Sequence, residues 1–132
     1  MESLVKKLKV DYPEFKFVIG KKFLFRYPKT IVIGPAESNS DLLLLHELGH
    51  AVLGHQDFKT DVMRLKMEVE AWEEARKLSE KYGIEFDDDS VQNELDTYRD
   101  WLHKKSRCPK CGLTRFQSAD GVYHCPRCEN LN

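Results

Sequence analysis

The chain lacks any apolar run long enough to cross a bilayer, and its first residues, Met1-Glu2-Ser3-Leu4-Val5-Lys6-Lys7, lack the apolar stretch of a secretory signal. It has no excess of charge: 21 Lys and Arg stand against 22 Asp and Glu, for a net charge of −1. Such a balance offers no global attraction for nucleic acid or for an anionic membrane. No internal repeat and no low-complexity tract occurs, so a repeat architecture is not expected. Cysteine is scarce, and all 4 of them fall into two C-x-x-C pairs. In an intracellular chain that spacing points to metal before disulfide. The expectation is a cytoplasmic protein without a membrane partner. With 33% charged and 41% hydrophobic residues, 132 positions accommodate one globular domain of modest core and a small appendage.

What the sequence does contain is organised around Asp41 to His55. Within it, His46-Glu47-Leu48-Gly49-His50 is an H-E-x-x-H pattern. Residues four apart on a helix lie nearly above one another, so both imidazoles reach from one face toward one ion. Glu47 then sits at the edge of that face, where a carboxylate can hold a water beside the metal. Ser38-Asn39-Ser40-Asp41 offers capping oxygens for a helix start, and Gly54 offers a stop. The Leu-rich run from Leu42 to Leu48 makes the helix a buried one, and buried polar groups without partners are costly.

Upstream, Ser3 to Lys9 reads as a short amphipathic helix ended by Tyr12-Pro13. Phe15 to Ile19, Phe23 to Tyr27 and Thr30 to Ile33 read as three short strands of a small antiparallel sheet. Thr30 to Ile33, the last of them, is expected to be an edge on which an extended peptide could pair. Downstream, Thr60 or Asp61 can cap a helix from about Val62 to Tyr82, stopped by Gly83. On a helical wheel Val62, Leu65, Val69, Ala71, Trp72, Ala75 and Leu78 form an apolar arc. Glu68 falls inside that arc, between Trp72 and Ala75. Glu85 to Asp89 reads as a solvated acidic loop. A further helix spans about Ser90 to Lys105, docked through Val91, Leu95, Tyr98 and Leu102. The fold class expected is α+β, with a domain over residues 1–106 and a zinc ribbon over residues 107–132.

A catalytic zinc keeps three protein ligands and an open position. His46 and His50 supply two, and Glu68, Glu70 and His55 are the candidates for the third. His55 lies five residues past His50, about 140° around a continuing helix, and reaches the ion only if the chain breaks at Gly54. Glu70 projects with the charged face. Glu68 projects with the core, where a carboxylate needs a cation beside it.

These residues resemble a gluzincin metallopeptidase. His46-Glu47-Leu48-Gly49-His50 followed by Glu68-Val69-Glu70-Ala71-Trp72-Glu73-Glu74-Ala75 is most similar to the ImmA/IrrE-type peptidases and the small archaeal minigluzincins. In that group the later helix reads E-x-x-A with another Ala four residues on, and Glu68, Ala71 and Ala75 match it. The resemblance covers roughly Thr30 to Leu78. It implies a zincin-like fold and Glu68 as the third ligand. Trp72 departs from it, because several gluzincins carry Asp or Asn there to support a histidine. The activity implied is hydrolysis of peptide bonds in a peptide or protein substrate. Zinc would acidify water and Glu47 would take its proton, then pass it to the leaving amine. Tyr98 and His103 are candidates for steadying the oxyanion, although packing explains both.

Cys108-Pro109-Lys110-Cys111 and Cys125-Pro126-Arg127-Cys128 suit a closed, structural zinc, so that two zinc ions are expected in all. Between the pairs, Thr114 to Gln117 and Val122 to His124 flank the hairpin signal Asp120-Gly121. The module resembles a zinc ribbon, too small to fold without its metal. From His103 onward, Lys104, Lys105, Arg107, Lys110, Arg115 and Arg127 outnumber Asp120 and Glu129. Nucleic acid is therefore one partner to weigh, as in the SprT-type peptidases, although those use a third histidine with no equivalent here. The rival to a peptidase is a non-catalytic zinc module that recruits a partner. A third reading is a latent peptidase whose C-terminal part fills the cleft.

Overall fold

The structure is a computed structural model and describes residues 1–129; Asn130 to Asn132, the end of the expected ribbon, lie outside the described residues. Its elements run as one helix, three strands, three helices and two strands, an α+β architecture with four helices and five strands among the described residues. No helix among them is long and apolar enough to cross a membrane. The chain gathers into two compact units, residues 1–56 with 67–87, and 57–66 with the chain from Asp88 onward. Sequence alone places the division at 106/107 instead, leaving the third long helix with the first domain.

The first unit opens with α1 (Glu2–Asp11), which buries Leu4 and Leu8, one turn apart on the same face. Strands β1 (Lys16–Ile19), β2 (Leu24–Arg26) and β3 (Thr30–Ile33) form one sheet in the order β1-β3-β2. β3 runs parallel to β1, with Phe17 opposite Ile31, and antiparallel to β2, with Phe25 opposite Ile31. The expectation of an antiparallel sheet with β3 at its edge is therefore corrected on both points. The sheet is mixed, and β3 is its centre. The reason is legible in composition: Ile31, Val32 and Ile33 are all buried, with none of the polar alternation an exposed edge carries. The free edges belong to β1 and β2.

Helix α2 (Ser40–Leu53) carries the H-E-x-x-H pattern. Its cap differs from expectation. Asn39 takes the N-cap position without using its side chain, while Ser40 Oγ accepts from the Glu37 N–H and donates to the Glu37 carbonyl at 2.9 Å. Gly54 ends the helix at φ 67°, a left-handed conformation that costs a glycine little. Helix α3 (Asp61–Tyr82) starts under Thr60, whose Oγ1 accepts from the Met63 N–H at 3.3 Å. The apolar arc is buried from Ala71 through Trp72, Ala75 and Leu78, whereas Val62 is 60% exposed. The two helices approach closely. A Cβ built on Gly49 would lie 2.6 Å from the Ala71 carbonyl oxygen, so only glycine fits there.

In the second unit, α4 (Asp88–Ser106) begins two residues earlier than expected, with Asp88 and Asp89 in its positive first turn. Val91 and Leu95 are buried, as their spacing predicts. Strands β4 (Phe116–Gln117) and β5 (Tyr123–His124) form the expected antiparallel hairpin, with an Arg107–Thr114 bridge at its base. The buried Asp61 ties this unit together. It accepts from the Tyr123 hydroxyl at 2.6 Å and from Lys105 Nζ at 3.0 Å, while its own N–H donates to Gln117 Oε1 at 2.6 Å.

Candidate metal centres

Among the described residues, two groups of side chains could hold a metal ion: His46, His50 and Glu68, and the four cysteines. The first arises because α2 stacks His46 and His50 one turn apart, and the Gly49–Ala71 approach brings α3 close enough to present Glu68 between them. Glu68 Oε2 stands 2.9 Å from His46 Nε2, and Oε1 stands 3.4 Å from His50 Nε2. An ion with bonds of about 2.0–2.1 Å to N and O sets tetrahedral ligand atoms about 3.4 Å apart. Those separations are on that scale, and one ligand atom from each of the three residues lies within 4.8 Å of the others. Burial alone would raise the Glu68 pKa, but hydrogen bonds from His46 and His50, and their charge, hold it well below the usual carboxylate range.

Glu47 is placed differently. Its Oε1 is 3.7 Å from His46 Nδ1, and its side chain is only 13% exposed. Burial raises its pKa above the ordinary carboxylate value, against the pull of His46 and His50. Neighbouring Glu68 raises it further, while a hydrogen bond from the backbone of Phe25 in β2 lowers it. Two carboxylates one helix apart are driven in opposite directions: Glu68 is kept ionised and Glu47 is made basic.

The remaining sequence candidates fall into place around this core. Trp72 stacks flat on the His46 ring, centroids 4.1 Å apart and planes 3° from parallel. Its indole fixes the ring by packing, where a carboxylate or amide would do so by hydrogen bonding. Phe86 in turn packs edge-on against Trp72 at 6.4 Å. Glu70 is half exposed and does not join the ligand group. His55 does not join it either. The break that would have let His55 ligate does occur at Gly54, but it turns the ring onto the far nitrogen of His50, with the two Nδ1 atoms 2.8 Å apart. Tyr98 belongs to the second unit, where the Arg64 guanidinium lies 5.3 Å from its ring centre. His103 is exposed on α4.

In the cysteine group, Cys108 and Cys125 are buried and all four thiols are free. The Cys108–Cys128 and Cys111–Cys125 sulfurs are 3.8 and 3.5 Å apart. Metal–sulfur bonds of about 2.3 Å place tetrahedral sulfurs about 3.8 Å apart, so the cage has the size of an ion. Backbone N–H groups of Cys111 and Lys110 pull the Cys108 thiol down to about 6, whereas the neighbouring Cys111 and Cys125 thiols push Cys128 up, so the four share their protons unequally. With four ligands converging, the cage leaves no open position.

No family model, no curated protein and no solved structure matches the chain. The reading of function therefore stands on the geometry above and on the motif resemblance.

Proposed function

We propose that the chain is a zinc-dependent peptidase of gluzincin type, with a zincin-like first unit and a structural zinc ribbon. The observation that carries this reading is the convergence of His46, His50 and Glu68, with Glu47 buried beside them and made basic. His46 Nε2, His50 Nε2 and one Glu68 oxygen would hold the ion. A zinc ion there supplies Lewis acidity to water and to a carbonyl oxygen. Glu47 accepts the proton of the attacking water and passes it to the leaving amine, a role favoured by burial, which raises its pKa above the ordinary carboxylate value.

The correction to the sheet changes where a substrate would lie. Strand β3 has neighbours on both sides, so an extended peptide cannot pair with it. The edge that fits is β2, since Phe25 turns its backbone toward the Glu47 carboxylate. The cysteine cage takes a structural ion, and a contact with nucleic acid remains the secondary proposal for the basic residues around it.

The test is zinc stoichiometry with a casein or peptide-library digest. Wild type should bind two ions, one per ligand group, and His46→Ala one fewer. Glu47→Gln should keep both ions and lose hydrolysis. Absence of hydrolysis by wild type removes the peptidase reading, undiminished hydrolysis by Glu47→Gln removes Glu47 as its proton acceptor, and equal metal content in wild type and His46→Ala removes the first site.

A further inference from the structure

His50 presents two nitrogens, and only one can serve an ion. Its Nε2 faces Glu68 Oε1 at 3.4 Å, so Nδ1 is left to the other side of the ring. There it meets His55 Nδ1 at 2.8 Å. His55 reaches that point because Gly54 adopts φ 67° and its successor folds back, the His55 N–H donating to the His50 carbonyl at 3.0 Å. On its far side, His55 Nε2 lies 4.0 Å from Glu70 Oε1. The His55 side chain is 11% exposed, whereas Glu70 is 46% exposed, so the series runs from the buried site to the surface.

We propose that His55 is the positioning residue of the His46–His50–Glu68 site, accepting the Nδ1 proton of His50 and thereby presenting its Nε2 lone pair to the ion. The inference rests on the metal reading of that group and extends it to a residue the motif does not contain. The proton placement follows without further assumption. A neutral imidazole that ligates through Nε2 carries its proton on Nδ1. That proton can only be donated, so the facing Nδ1 of His55 has to be the bare one. The single proton of neutral His55 then sits on Nε2, directed to the side where Glu70 carries its negative charge. Each partner favours the tautomer that the next requires. Outer partners of this kind orient a ligand and raise its basicity, and their removal typically weakens a metal site about 10–100-fold.

The two histidine ligands are thus held by different means. His46 is clamped by the Trp72 indole, and His50 by a hydrogen bond from its distal nitrogen. A site with one packed and one hydrogen-bonded ligand makes a separable prediction. Loss of His55 should affect His50 alone.

Zinc affinity of the full chain, measured by competition with a chromophoric chelator, tests this without relying on hydrolysis. His46→Ala defines the signal of the cysteine cage alone. His55→Ala should weaken the additional wild-type site about 10–100-fold. His55→Asn, whose Oδ1 falls where His55 Nδ1 stands, should recover most of that loss, and His55→Leu should not. A slowly exchanging imidazole N–H resonance from His50 should appear in zinc-loaded wild type and His55→Asn and be absent from His55→Ala. If wild type binds no more zinc than His46→Ala, the metal reading itself fails. If wild type binds and His55→Ala binds equally well, or Asn rescues no better than Leu, the positioning role is overturned while the metal site stands.

Discussion

Gly49 is the residue on which the convergence of α2 and α3 depends, and Gly49→Ala is the sharpest perturbation of it. The added Cβ would lie 2.6 Å from the Ala71 carbonyl oxygen and 3.3 Å from its carbon, while ordinary contact begins at 3.4 Å. Both atoms belong to helix backbone, which cannot swing aside as a side chain would, so α3 has to retreat by about 0.8 Å. Overpacking of this kind costs about 1–3 kcal/mol. Alanine returns about 1 kcal/mol through its better helix propensity. The net loss of stability is therefore small, between about 0 and 2 kcal/mol. The effect on the metal site is larger, because Glu68 lies on the same face of α3, three residues before Ala71. Retreat of that face moves Glu68 Oε1 from its present 3.4 Å to about 4.2 Å from His50 Nε2, outside the reach of one tetrahedral ion. Zinc affinity of the first site should fall at least tenfold, on the scale of a lost outer partner or worse, while the melting temperature moves by only a few degrees. Gly83→Ala is the matching control. Unlike Gly49 it sits at positive φ, and nothing lies within 4 Å of its Cβ position, so alanine there should lower stability through backbone strain alone and leave zinc affinity unchanged. If Gly49→Ala binds zinc like wild type and melts higher, helix propensity has won and the close crossing does not set the site.

Trp72→Ala removes a side chain that is 4% exposed and the plate beneath His46, and should destabilise the first unit by about 3–5 kcal/mol in chemical denaturation, with Trp72→Phe recovering more than half. Cys125→Ser should release the cage ion and abolish the β4–β5 pairing, seen as loss of hairpin resonances, while one zinc stays bound at His46 and His50. Asp61→Asn should destabilise the second unit by about 1–3 kcal/mol at neutral pH by stripping the charge from its bonds with Tyr123 and Lys105. Burial would raise the Asp61 pKa, but those two bonds outweigh it and hold the carboxyl below its ordinary value. The stability Asp61 contributes is therefore complete above the unfolded value of about 3.9 and is lost as pH falls through the lower folded one. The gap between wild type and Asp61→Asn should close in that acid range; a gap independent of pH would exclude the ion pair as its cause.

Much of this organisation was written in local patterns. The i, i+4 spacing of His46 and His50 needs only a helix, and the leucines around them allowed nothing else. Glu68 was legible because a carboxylate inside an apolar arc demands a partner. The cysteine pairs and Asp120-Gly121 specify a knuckled hairpin by spacing alone. What escaped was set by tertiary geometry. Strand order was misread because sequential strands usually pair in sequence, and nothing in Lys16 to Ile19 announces that it will lie beside β3 and not beside β2. The apolar run Ile31-Val32-Ile33 held the clue that β3 is central. The stop at Gly54 is legible, but nothing local says that it turns His55 onto the outer nitrogen of His50. Asp61, which joins α3, α4 and the hairpin, looked like an ordinary helix-capping residue, because its partners lie 44 to 62 positions away.

The opposite behaviour of the two acidic residues bears on how the site would load. Glu68 is already ionised in the protein, held so by the two imidazoles that flank it. An arriving ion meets a formed carboxylate and has to displace only whatever protons sit on the imidazole nitrogens facing it. Affinity should consequently rise with pH as those protons are lost, and level off once they are gone. Glu47 would not contribute to that slope as a ligand, since it stands beside His46 Nδ1 and outside the ligand group. Glu47→Gln should therefore leave the pH dependence of zinc binding parallel to that of wild type. Glu68→Gln should instead lower the whole curve, because it keeps the shape of the side chain and removes the charge that both histidines share. A flattened curve in Glu47→Gln would mean that this carboxylate grips the ion itself, and the division of labour between ligand and proton acceptor would have to be reversed.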